Sequence, residues 1–214
     1  MKNSPDASGS EKHSEAKVQE SRVVTEEEWL EKWRTKNIGF HVEEGHPLAD
    51  LGHHVIGVEI SESALKEFFT EQNLPFSEEA VSQIPGAKLF KSTSGNISLY
   101  CCSIYDLTST VTGKVDGIWD RGALVAVNPS ERERYAQLIL SLMNQKCHCL
   151  LVTCLYDPNK HKGPPFYVSD SEVKSLFGKH CDIKYLEKRD TLSERHKKWG
   201  LDSFWEVIYL LMLK

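Results

Sequence analysis

Residues 37–53, NIGFHVEEGHPLADLGH, limit the fold more than any other stretch of the chain. Before them stands TEEEWLEKWRTK, a helix opened by a capping box in which the Thr25 hydroxyl accepts the Glu28 amide and Glu28 reaches back. After them comes HVIGVEI (54–60), an apolar strand that ends on Glu59 and runs into a Ser61-capped helix, SESALKEFFTEQN. A carboxylate at the end of such a strand holds a ribose in nucleotide-cofactor folds, together with a glycine-rich loop on an earlier strand. Residues 37–53 have no room for that earlier strand and its crossover helix. LADLG reads as the last turn of a helix stopped by Gly52, but Pro47 stands directly before it and no amphipathic run precedes it. The end of a helix stands there without its body.

Further along, AKLFK and ISLYCCS form two short strands joined by a turn at STSGN, and VDGIWD (115–120) reads as a buried strand. Asn128 and Pro129 open a helix running to about Lys146, with Asn128 as its cap. CHCLLVTCLY is a strand and DPNKHKGPP a long loop. SDSEVKSLFGK is a helix with a second capping box, Ser169 and Glu172, and Gly178 as its stop. DIKYLEKRD and FWEVIYLLML close the chain as strands with no helix between them, hence an antiparallel pair. Strands alternating with helices imply a mainly parallel sheet covered on both faces, a three-layer α/β sandwich with an antiparallel edge.

Residues 1–22 carry almost no large apolar side chain and read as a disordered tail, leaving 23–214 as a single domain. A net charge of -5 argues against a nucleic-acid partner, and no apolar run is long enough to span a membrane, so the expected location is cytoplasmic. The six cysteines sit mostly in strand-like runs and suit reduced, buried thiols. A zinc site around Cys147, His148, Cys149 and Cys154 is the sharper alternative; without a C-x-x-C pair, and with alternation sending those side chains to both faces, no metal is expected.

The phrases TEEEWLEKW, GVEIS, EFFTEQNLPFSEE, SGNISLYCCSIYDL, IWDRGALVAVNP, YDPNKHKGPPFYV and ERHKKWG resemble the thiopurine S-methyltransferase family from about Val23 to the C-terminus. Between the equivalents of His46 and Leu48 that family carries a helix, a first strand ending in a P-L-C-G-K loop, and most of the next helix; this chain lacks the block. The resemblance implies a Rossmann-like class I methyltransferase sheet without its usual first strand, truncated internally near 46–48. It also implies a cytoplasmic monomer that passes the methyl of S-adenosyl-L-methionine to the sulfur of an aromatic or heterocyclic thiol. The alternative is a variant of that enzyme with impaired catalysis and little cofactor binding. A nicotinamide-dependent oxidoreductase fits the acidic strand end but lacks a G-x-G-x-x-G motif.

Carried over by the resemblance, Glu59 binds the ribose hydroxyls, Ser103 and Ile104 line the adenine, and the helix bearing Trp29 and Trp33, continuing to Phe40, covers the cofactor. Arg121 and Arg195 face the substrate, Phe40 packs on its ring, and Asp120 is a candidate for orienting Arg121. Residue chemistry alone leaves plainer readings open. Glu59 can be a helix-start charge, the two tryptophans core, Arg121 a salt-bridged residue, and Arg195 part of a solvated basic run. No catalytic triad is needed, because methyl transfer from a sulfonium to a thiolate requires mainly alignment and exclusion of water.

Overall fold

Thr25 caps the first helix as its sequence requires: its hydroxyl accepts from the Glu28 amide at 3.2 Å while Glu28 accepts from the Thr25 amide at 3.0 Å. The computed structural model describes residues 23–36 and 47–214, so Phe40 and the expected tail at 1–22 lie outside the described residues. In chain order the elements are α1 (Glu26–Arg34), α2 (Pro47–Asp50), β1 (Val55–Glu59), α3 (Glu62–Glu71), β2 (Phe76–Ala80), β3 (Lys88–Ser92), β4 (Ile97–Cys101) and α4 (Ser109–Thr112). They continue with β5 (Val115–Arg121), α5 (Arg132–Leu142), β6 (Met143–Leu155), α6 (Asp170–Phe177), β7 (Cys181–Asp190), α7 (Glu194–Lys198) and β8 (Trp205–Leu213).

The strands form two mixed four-stranded sheets, ordered β1-β4-β3-β2 and β5-β6-β8-β7, rather than one mainly parallel sheet. β1 pairs parallel with β4 and β5 parallel with β6; the other pairings are antiparallel. β1 and β5 are therefore both edge strands among the described residues. A strand between them is what the short segment before β1 has no length to supply. This corrects the expectation that VDGIWD is buried: Trp119 is 56% exposed, because β5 has a neighbour on one side only.

Each sheet keeps its own core. α3 lays Leu65 and Phe69 on Phe90, Ile97 and Leu99, while Tyr100, Leu107, Val81 and Ile84 fill the other face of the first sheet. In the second, Tyr135 and Ile139 of α5 and Val173 and Phe177 of α6 pack on Cys149, Leu151 and Leu211. All six cysteines are free, and Cys147, Cys149, Cys154 and Cys181 are buried, as small apolar side chains should be.

Two local expectations need correction. Asn128 makes no cap bond; a short 3-10 turn, Pro129–Glu131, leads into α5, which ends at Leu142 where β6 begins. The Asn128 side chain instead pairs with Val24, accepting from its amide and donating to its carbonyl, both at 2.9 Å. FSEEA forms β2, where antiparallel pairing with β3 leaves its glutamates exposed. Between β7 and β8 lies the short helix α7, held at its start by Ser193 and His196. Ser169 does cap α6, accepting from the Glu172 amide at 3.2 Å.

Candidate active site

All four strands in parallel pairs present their carboxyl ends to one cavity of about 1410 Å³. Glu59 and Ile60 follow β1, Cys102 and Ser103 follow β4, Arg121 and Gly122 end β5, and Cys154 stands near the end of β6. Open α/β sheets place ligands outside those ends, where loops from different strands converge on one crevice. Helix α1 lies along the cavity with Trp29, Lys32 and Trp33 in its wall.

That helix is tied to both sheets. The Asn128 side chain fixes the backbone of Val24 just before it, Ser103 donates to Glu26 at 2.7 Å, and Lys36 pairs with Glu67 of α3. Trp33 is buried and Trp29 half-buried, so the core reading and the cavity-wall reading both hold for this pair.

Glu59 is a helix-start charge and also lines the cavity. Its Oε1 accepts from the Ser61 amide at 2.8 Å, at the start of α3, and its carboxylate lies at the cavity. Burial raises its pKa, against the lowering effect of the Ser61 and Ile60 amides, so donors arriving from a ligand would stabilise the charged form. Ser103 and Ile104 line the same wall, with Ile104 opening a short 3-10 turn.

Asp120 and Arg121 are adjacent in sequence and turn to different partners. Asp120, 3% exposed, accepts from the Ala123 and Leu124 amides, each at 3.1 Å, and from the Tyr135 hydroxyl at 2.8 Å. The carboxylate shapes the turn after β5. Arg121 reaches across β6 to Glu206 of β8, at 3.4 Å. The ion pair thus assigns Arg121 a partner that sequence proximity does not suggest. Arg195, from α7, lies over the Trp199 ring at 5.0 Å and reaches the same cavity. The site therefore brings together Trp29, Trp33, Glu59, Ser103, Ile104, Arg121 and Arg195, with Glu206, His196 and Trp199 as residues that sequence reading missed.

His196 anchors the segment that carries Arg195. Its Nδ1 accepts from the Ser193 amide at 3.1 Å, and its ring stacks on Phe204 with centroids 3.8 Å apart. Burial is the main cause that lowers its pKa from 6.5, opposed by the hydrogen bond to Thr191; the nearby His161 is shifted the same way, again chiefly by burial. A histidine with a lowered folded pKa takes up its proton first in the unfolded chain. Stability is therefore complete above pH 6.5 and is lost as pH falls from there through the folded pKa. We expect the melting temperature to drop on acidification below pH 6.5, and the drop to shrink in His196→Gln, whose amide oxygen can still accept from Ser193. Equal pH dependence in the variant would remove His196 as a cause.

A family model described as thiopurine S-methyltransferase matches residues 46–214. The thiopurine S-methyltransferase of Rattus norvegicus is 51% identical over 237 residues, covering 96% of this chain and 99% of that protein. The thiopurine S-methyltransferase of Equus caballus is 52% identical over 233 residues, covering 94% and 95%. Both matched spans exceed the 214 residues of this chain, so the relatives carry residues inside the match that it lacks. Among solved structures, the S-adenosylmethionine-dependent methyltransferase of Anabaena variabilis superposes with a TM-score of 0.56 at 11% identity, covering 94% of this chain and 99% of that one, a likeness of fold.

Proposed function

The chain belongs to the thiopurine S-methyltransferase family, and from that premise we propose that it methylates the sulfur of aromatic or heterocyclic thiols, thiopurines among them, using S-adenosyl-L-methionine. The carrying observation is the convergence of four strand ends, a half-buried carboxylate and two arginines on one cavity. The residues present fit the nucleoside end of the cofactor. Glu59 offers a half-buried acceptor to ribose hydroxyls, and Ile104 with the α1 tryptophans offers apolar walls to a base. When bound, the cofactor supplies a methyl on a positively charged sulfur.

The other tasks fall to the chain. Arg121 and Arg195 stabilise the thiolate form of the acceptor, and the thiol proton leaves to solvent, since an arginine does not accept it. The site's part in the methyl transfer would be to hold the thiolate sulfur in line with the methyl. Helix α1, strapped to both sheets, keeps water from the reacting sulfurs. We place Phe40 on the ring of the acceptor, and residues 23–214 in one functional unit. The protein acts as a cytoplasmic monomer without a nucleic-acid or membrane partner; no helix among the described residues is long and apolar enough to cross a membrane.

Thermal unfolding with and without S-adenosylhomocysteine tests this. A ligand at about 100 times its Kd stabilises the folded form by about 2.7 kcal/mol. For a domain of this size that raises Tm by on the order of 5 to 10 °C. No shift would favour the impaired variant, for which the open edges of β1 and β5 are the specific observation.

A further inference from the structure

We infer that Glu206 is a positioning residue for methyl transfer: its carboxylate holds the Arg121 guanidinium at the cavity and limits how much positive charge a bound thiol feels. The inference rests on the reading of Arg121 as the partner of the thiolate. The pair is unusual in its reach. β5 and β8 are not neighbours; β6 lies between them, with Val152 opposite Arg121 and Cys154 opposite Glu206 in the register. The ion pair therefore crosses β6 near Cys154, whose thiol feels the charge of both partners.

Cys154 does not compete for the arginine, because burial pushes its thiol up to about 12 and leaves it neutral. Glu206 is the more sheltered partner, with its side chain 21% exposed against 42% for Arg121. The fixed end of the pair is thus the carboxylate. At 3.4 Å the contact is longer than an optimal charge-assisted hydrogen bond of about 2.8 Å, which leaves the guanidinium able to turn part of its fork toward an arriving anion.

The titratable groups that interact with Glu206 are Arg121 on β5, Arg189 on β7 and His196 on α7, with Cys154 on β6. Arg189 is held by Glu187 at 2.7 Å. Arg195 adds a second cavity cation. The carboxylate offsets part of the Arg121 charge that an arriving thiolate would meet. Replacing the carboxylate by an amide of the same shape would remove one negative charge from beside Arg121. The acceptor thiol would then ionise at lower pH and bind more tightly as its anion. Loss of a merely structural contact gives neither gain.

The test uses 6-mercaptopurine as the probe, because its neutral and ionised forms absorb at different wavelengths. Its bound pKa is read by absorbance in the presence of excess S-adenosylhomocysteine, with no turnover. In Glu206→Gln the bound pKa should fall by about one unit relative to the wild type, with tighter binding at neutral pH. Glu206→Asp should stay near the wild type. If the glutamine variant does not fold, Glu206→Met removes the same charge and is read in the same way. A probe that binds both proteins with equal bound pKa, shifted from its free value, would overturn the role of Glu206 and leave Arg121 as proposed. A bound pKa equal to the free value in the wild type would overturn the reading of Arg121, and this inference with it.

Discussion

Arg121→Ala is expected to lower kcat/KM for a heterocyclic thiol by about 100-fold or more, the loss seen when a positioned donor to a developing or fixed anion is removed. The guanidinium stands at the end of β5, lines the cavity and is 42% exposed. Its ion pair with Glu206 at 3.4 Å is long and partly solvated, so its removal should change stability by about 1 kcal/mol or less. Activity and folding are thereby separated at one residue. The upward shift of Tm with S-adenosylhomocysteine should survive the substitution, since Glu59 and the α1 tryptophans lie on another part of the cavity wall. Arg121→Lys should recover part of the rate, because a lysine supplies the charge without the planar fork. Steady-state kinetics at saturating cofactor, with the thiol varied, would check the series. A kcat/KM within about threefold of the wild type would take Arg121 out of the reaction.

The largest stability effect is expected at Asp120. Asp120→Ala leaves the buried Leu124 amide and Tyr135 hydroxyl without their acceptor, and the Ala123 amide half-buried beside them. Each unmet buried donor costs about 1 to 3 kcal/mol, so a total of about 3 kcal/mol or more is reasonable. In a domain of this size that lowers Tm by on the order of 6 to 12 °C. Asp120→Asn should behave differently. Burial is the main influence on this carboxyl and raises its pKa, so its charge is a burden that the three hydrogen bonds offset. An asparagine keeps an acceptor for the two amides and can donate to the tyrosine oxygen, and should stay within about 1 kcal/mol of the wild type. Urea unfolding of both variants would decide, with the alanine equal to the asparagine as the contrary result. Asparagine should also leave kcat/KM nearly unchanged, because the ion pair of Arg121 runs to Glu206.

Much of the site was legible because its signals are local. The Thr25 and Ser61 caps depend on hydrogen bonds three residues apart, and the place of Glu59 follows from an apolar run that stops on a charge. The place of Arg121 at the cavity follows from a strand ending where ligands are bound, whereas Ser103 and Ile104 were pointed to only by the family resemblance. Glu206 was not legible. It reads as one polar residue in the alternation of FWEVIYLLML, and only the sheet order brings it within reach of an arginine 85 residues earlier. Asn128 looked like a helix cap because it precedes Pro129; a backbone partner 104 residues away took its side chain instead. His196 lay in a basic run whose helix is too short to show a period.

The alternation of strands and helices, most of their caps, the family resemblance and the missing strand can all be read before any folding is known, because each is written in neighbouring residues or in the length of a segment. Tertiary structure alone decided that β1 and β5 end two separate sheets, that Trp119 is exposed on the second, and which acid meets Arg121. Those outcomes depend on which strands lie side by side, and backbone pairing between distant segments is fixed by the competition of whole strands for partners, which no short window of residues contains.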